Sequence, residues 1–193
     1  MLFRSAPRFI GEFEKGIDYK GDIAKFEQQY IGHVAISRHF GPYKLSIHSG
    51  SDKFSIYPIA ARHSGQYVHL KTAGTSYLEA LKVVAMKAPA LFREIMEFAR
   101  ARYDTDKATY HVSASVAKFP AGSALDDKNL VNLLADEDVN SRQVFHVTFG
   151  SVLTTKTPAG GWLLRDRFLK VLADNEQTRS EEHTSELQSR QVI

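Results

Sequence analysis

No cysteine occurs among the 193 residues. That excludes a disulfide framework and a thiolate nucleophile, and any metal site must draw on His, Asp, Glu and water. Long apolar runs are missing as well, since none approaches the roughly 20 residues that span a bilayer. The opening stretch M-L-F-R-S-A-P-R-F-I-G is interrupted by Arg4 and Arg8, which argues against a secretory leader. A soluble, cytoplasmic protein without a membrane partner is expected. There is little excess charge: 25 basic and 22 acidic residues leave a net +3, dispersed along the chain. That is too mild for a nucleic-acid partner. Walker, dinucleotide-binding and nucleophile-elbow glycine motifs are all lacking, which removes support for nucleotide binding and serine hydrolysis. What is present is a 43% hydrophobic content, enough for one ordinary domain core.

The last stretch, R-S-E-E-H-T-S-E-L-Q-S-R-Q-V-I, has no apolar periodicity. Residues 179–189 resemble the in-frame translation of a sequencing adapter. Residues 179–193 are therefore read as a non-native tail and residues 1–178 as the folded part. Within it, helix-like and strand-like segments alternate. Residues 21–39 carry Ile23, Phe26, Tyr30, Val34 and Ile36 near a 3.6 period, which predicts a helix stopped by Gly41-Pro42. Strands are expected at 43–48, 66–71, 109–113 and 143–149. Helices are expected after Thr75-Ser76, around Leu91, Ile95 and Phe98, and from Trp162 onward. Residues 52–61 read as a short helical turn broken at Pro58, and 127–134 as a weak helix. Ser76 and Glu79 have capping-box spacing. This alternation predicts an α/β fold with parallel strands and helices between them, matching half of a TIM-like (β/α)8 barrel.

Each expected strand carries one histidine toward its C-terminal half: His48, His69, His111 and His146. Parallel α/β folds bind ligands at the C-terminal ends of their strands. Neutral imidazoles with a carboxylate would make an N/O site for a divalent ion. The competing expectation is a set of separate core histidines, each satisfied by a neighbouring carbonyl. His33, His39 and His63 are expected at the surface.

The run K-L-S-I-H-S-G-S-D-K-F-S-I-Y-P adds polar groups after His48. Ser49, Gly50 and Ser51 can turn amides outward. Asp52 can cap the following turn or transfer a proton, and Lys53 can supply a cation or remain solvated. Lys71 shares strand parity with His69, so both can face one site. Thr72 opens a second stretch of amides and hydroxyls before a helix.

The runs K-L-S-I-H-S-G-S-D-K-F-S-I-Y-P, V-H-L-K-T-A-G-T-S-Y-L-E-A-L, A-T-Y-H-V-S and F-H-V-T-F-G-S-V-L resemble the C-terminal half of tagaturonate epimerases. The resemblance implies a divalent-metal-dependent isomerase of hexuronate breakdown, acting on a small sugar acid. Its members are much longer, so it also implies that the N-terminal half of the barrel lies outside this chain. Carried onto this sequence, it implies His48, His69 and His146 as metal ligands, with zinc, manganese or nickel as suitable ions. Asp52 and Lys53 become the catalytic pair, and Ser49, Lys71, Thr72 and His111 the substrate contacts. Tagaturonate and fructuronate differ at C4, β to the C2 ketone, so simple enolisation cannot invert that centre. Retro-aldol cleavage and religation of C3–C4, or transient oxidation at C4, remain. A class II type aldolase, another sugar isomerase and a non-catalytic sugar-acid-binding protein are the alternatives.

Overall fold

The computed structural model describes residues 3–48, 52–71 and 75–178, with the side chains of Thr75 and Ser76 left aside. The expected tail at 179–193, the substrate contacts Ser49 and Thr72 and the Ser76 half of the capping box lie outside the described residues. The chain divides into two compact units, Met1–Ala73 and Gly74–Ile193.

The first unit is built on three parallel strands, β1 (Arg4–Ser5), β2 (Lys44–Ile47) and β3 (Val68–Leu70), in the spatial order β1-β2-β3. Helix α1 (Ile23–His39) connects β1 to β2, and α2 (Tyr57–Ser64) connects β2 to β3. Parallel neighbours need such crossovers because a hairpin cannot join them. Asp22 caps α1, its carboxylate accepting from Lys25 N–H at 3.1 Å, a contact worth about 0.5–2 kcal/mol. Arg38 and His39 in the last turn suit the negative helix end, and Gly41 then turns the chain at φ 92°. The buried stripe of α1 is Phe26, Tyr30, Val34 and Ser37. Ile23 and Ile36, expected on the apolar face, fall outside this stripe and are exposed. Phe9 packs its ring 5.3 Å from Phe26 and 5.5 Å from Tyr30, and Leu45, Ile47, Ile56 and Ile59 complete the core. Each such side chain removed from water contributes about 1.5–3 kcal/mol. Pro58 does not break the helical turn. It sits in the first turn of α2, where its missing N–H costs nothing, and the helix runs on to Ser64.

The second unit is helical: α3 (Thr75–Lys87), α4 (Pro89–Asp106), α5 (Val139–Thr154) and α6 (Arg165–Asp174), joined by short 3-10 turns, one of them at Asp127–Leu134. Here two sequence expectations are corrected. Residues 143–149, expected as the clearest strand, lie inside α5, capped by Asp138, which accepts from Ser141 N–H at 2.9 Å. Residues 141–148 are all buried, so the apolar pattern reflects a helix enclosed on every side. Thr148 Oγ1 donates back to the Val144 carbonyl at 2.9 Å, spending its polar group inside the helix. Residues 109–113, expected as a strand, pair with no strand among the described residues. The extended chain that follows Lys107–Thr109 is held by side chains instead. Gln143 Oε1 accepts from Ser113 N–H at 3.0 Å and Ala114 N–H at 2.9 Å, and Asn140 Oδ1 from Ser115 N–H at 2.8 Å.

Arg167 of α6 grips Glu94 of α4 with two bonds, 2.9 and 2.7 Å. Lys156 and Trp162 face each other across an isolated bridge, and the Lys156 ammonium and Arg165 guanidinium each stand 4.8 Å from the indole centroid. No helix among the described residues is long and apolar enough to cross a membrane.

Candidate active site

The C-terminal ends of β2 and β3 carry His48, His69 and Lys71, and Asp52 and Lys53 follow in the segment after β2. The register pairs Ser46 with His69, and Ser46 Oγ lies 2.8 Å from His69 Nδ1. On the other side of the ring, Arg4 Nη1 donates to Nε2 at 3.0 Å. Arginine has no acceptor, so Nε2 presents its lone pair, Nδ1 carries the proton and Ser46 Oγ receives it. Burial, then the neighbouring charges of Arg4, Lys44 and His48, hold the His69 imidazole below its ordinary range. A ring that accepts from Arg4 at Nε2 is the neutral form, as a ligating or proton-accepting imidazole must be. His48 follows β2 directly and is exposed.

Asp52 is nearly buried and adopts a left-handed backbone at φ 59°, which Asp tolerates better than most residues. It is not the helix cap that its position suggested. The caps of the next two helical segments are Lys53 and Ile56, and neither makes a side-chain cap bond. Lys53 is fully buried rather than solvated. Its Nζ donates to the Glu14 carbonyl at 2.8 Å and to the Ile17 carbonyl, so it braces the loop of residues 12–20. Burial lowers Lys53 to about 8, against the opposing pull of Asp52 and Asp18. Lys71 is exposed just past β3, where its N–H donates to the Ile47 carbonyl at 3.0 Å.

His111 and His146 belong to the second unit. His111 is exposed on the extended segment after Lys107–Thr109, and His146 is buried in α5, 6.3 Å ring to ring from Phe149. The strand ends that suggested them do not exist there. Sequence reasoning also passed over Arg4 and Ser46. Ser46 alone left a signal, a polar residue inside a strand otherwise buried on both faces.

A family model described as tagaturonate epimerase matches residues 2–190. The chain belongs to the tagaturonate epimerase family. Over 172 residues it is 49% identical to the tagaturonate/fructuronate epimerase of Thermotoga maritima, covering 89% of this chain and 34% of that protein. The native crystal structure of the fructuronate-tagaturonate epimerase UxaE from Cohnella laeviribosi matches with a TM-score of 0.87 at 39% identity, covering 97% of this chain and 38% of that one. Its complex with two glycerols matches with a TM-score of 0.84 at 40% identity, covering 93% and 36%. The chain therefore spans about a third of the length of these epimerases. The α/β architecture with parallel strands agrees with the expectation drawn from the sequence. Of the four expected strands, 43–48 and 66–71 correspond to β2 and β3, whereas 109–113 and 143–149 are not strands.

Proposed function

We propose that the complete enzyme to which this segment belongs interconverts D-tagaturonate and D-fructuronate in hexuronate catabolism, working in the cytoplasm. Family membership carries this reading. The parallel order β1-β2-β3, with a helix in each crossover, supports a place in a TIM-like barrel whose other strands come from the rest of the enzyme.

His48 and His69, on adjacent strand ends, are the proposed ligands of a divalent ion. The Ser46 hydroxyl fixes one nitrogen of the His69 ring, the arrangement that orients ligating imidazoles, and ligation would exchange the Arg4 bond on the other. Bound there, zinc, manganese or nickel would supply Lewis-acid polarisation of the sugar oxygens. Inversion at C4 by retro-aldol cleavage begins with loss of the C4 hydroxyl proton. The C3–C4 electron pair moves toward the C2 carbonyl to leave an enediolate, the new C4 aldehyde turns, C3 attacks its other face to reform the C3–C4 bond, and the proton returns to the C4 oxygen. Asp52 is the proposed proton acceptor and donor, and the Lys71 ammonium the proposed contact for the carboxylate. His146, buried in its helix, enters this scheme as a residue of the second unit whose part as a ligand has to be tested separately, as does the substrate contact of His111.

The test is made on the complete enzyme, stripped of metal and resupplied with Mn2+, Ni2+ or Zn2+, while tagaturonate conversion to fructuronate is followed. Turnover that depends on the ion and is lost in His48→Ala and His69→Ala is expected. Turnover indifferent to both would overturn the site. Release of three-carbon products would instead favour an aldolase.

A further inference from the structure

The two faces of the three-stranded sheet differ in kind. Successive side chains of a strand point to opposite faces. Leu45 and Ile47 belong to the core with Phe26 and Tyr30 of α1 and Ile59 of α2. The register therefore sets Arg4, Lys44, Ser46 and His69 on the face away from those helices, Arg4 beside Lys44 and Ser46 beside His69. In a TIM-like barrel the helices lie outside, so this face turns to the barrel interior, which valine, isoleucine and leucine ordinarily fill. Here it is polar and basic.

Arg4 reaches along that face to the far strand. Its Nη1 donates to His69 Nε2 at 3.0 Å, and the Nδ1 proton of the same ring goes to Ser46 Oγ at 2.8 Å. An imidazole that accepts from arginine is neutral, so the bond orients the guanidinium without balancing its charge. The other N–H groups of Arg4 meet no acceptor among the described residues. Other arginines are spent on carboxylates: Arg62 on Glu27, Arg93 on Asp127 and Arg167 on Glu94. Arg4 is exposed and aimed, and a planar carboxylate is the partner that its fork fits. Lys44, its neighbour in the register, likewise pairs with no carboxylate among the described residues, so nothing acidic competes for an incoming anion.

We propose that Arg4 binds the carboxylate of the sugar acid, with His69 as the positioning residue that aims its guanidinium. The identity of the ligand rests on the epimerase reading, whereas the aim of Arg4 rests on its bond to the imidazole and that ring's bond to Ser46. Ligation of His69 by an ion would give up the bond to Arg4, so the metal-free enzyme is the state in which the positioning is read.

The complete enzyme, freed of metal, is titrated calorimetrically with D-gluconate, a sugar acid that is not a ketose, and with its neutral counterpart D-glucitol. Arg4→Met is expected to weaken gluconate by about 10- to 100-fold, the scale of one lost charge-assisted bond, and to leave glucitol unchanged. Arg4→Lys, which keeps the charge and loses the planar fork, is expected to recover only part of the loss. His69→Ala leaves the cation and removes what aims it, so gluconate is expected to weaken by about 3- to 10-fold, again with glucitol unchanged. A general loosening of the fold would not produce that split. Unchanged gluconate affinity in Arg4→Met, a loss confined to Lys71→Met, or no gluconate binding by the wild type overturns the contact. Equal weakening of acid and polyol in His69→Ala overturns its positioning role. Arg4-dependent gluconate binding by an enzyme that does not turn over tagaturonate when resupplied with metal would sink the epimerase reading and leave the contact standing. Tagaturonate turnover with a gluconate affinity indifferent to Arg4 would do the opposite.

Discussion

Ser46 Oγ and His69 Nδ1 meet at 2.8 Å across two adjacent parallel strands, at positions the sheet register places side by side. The Arg4 guanidinium on Nε2 decides the tautomer, and the Ser46 hydroxyl receives the Nδ1 proton and holds the ring's orientation. Ser46→Ala removes that acceptor and leaves the Nδ1 proton without its partner. In the complete enzyme we expect this change to weaken metal affinity or turnover by about 10- to 100-fold, with little change in the thermal midpoint. Metal titration of the variant checks it, and nitrogen shifts of the ring report the tautomer directly. An unchanged affinity would remove Ser46 from the site.

Lys53 makes stability depend on pH in a defined direction. Its amine titrates at about 8 in the fold, against 10.5 ordinarily. Below about pH 8 both states hold the proton and the folded state bears the full cost of burying the charge. Between about 8 and 10.5 the unfolded chain binds the additional proton, so this contribution to stability rises with pH, by up to about 3 kcal/mol. Thermal midpoints measured from about pH 7.5 to 10.5 are expected to rise in the wild type relative to Lys53→Met. Parallel curves would mean that another group is responsible.

Asp52 separates backbone from chemistry. At φ 59° a β-branched residue is strained, whereas Asn and Gly are tolerated. Asp52→Asn is expected to keep the backbone conformation, at some cost in stability because the buried Lys53 loses an opposing charge, while epimerisation by the complete enzyme falls at least a hundredfold, and Asp52→Val to lose about a further 1–3 kcal/mol. Full activity in Asp52→Asn would transfer the proton-handling role elsewhere.

Glu94 and Arg167 join helices 73 positions apart in sequence. The Arg167 bond holds the Glu94 carboxyl below its ordinary range. The stabilisation is therefore present above the ordinary carboxylate pKa and is lost as pH falls through the depressed one. Both side chains are half exposed, so a double-mutant cycle with Glu94→Gln and Arg167→Met is expected to give only about 0.3–1 kcal/mol near neutral pH, shrinking in acid and in high salt. A coupling near zero at neutral pH would mean that the bidentate geometry does not persist in solution.

Legibility in the sequence followed the range of the forces involved. Helix α1 is readable because its stripe Phe26, Tyr30 and Val34 and its stop at Gly41-Pro42 are local. Strands β2 and β3 are bounded by turn residues and are readable to within two residues at each end. β1 is two residues long, and only pairing with β2 defines it. Residues 143–149 mislead because valine, threonine and phenylalanine favour strands until tertiary burial on every side overrides the preference. At the site, parity is the only sequence signal that sets Lys71 beside His69, and Lys71 falls just past the end of β3. Neither parity nor composition reveals that Lys53 turns inward, since its partners are carbonyls 36 and 39 positions away. Arg4 is equally silent in the sequence, standing 65 positions from the imidazole it touches.

Trp162 is the single tryptophan of the chain and sits in the second unit with two cations at its ring. Indole emission therefore reports on that unit, tinted by the charges beside it, whereas the first unit carries phenylalanine and tyrosine but no tryptophan. One cuvette read by fluorescence and circular dichroism together would show whether the two units come apart in step.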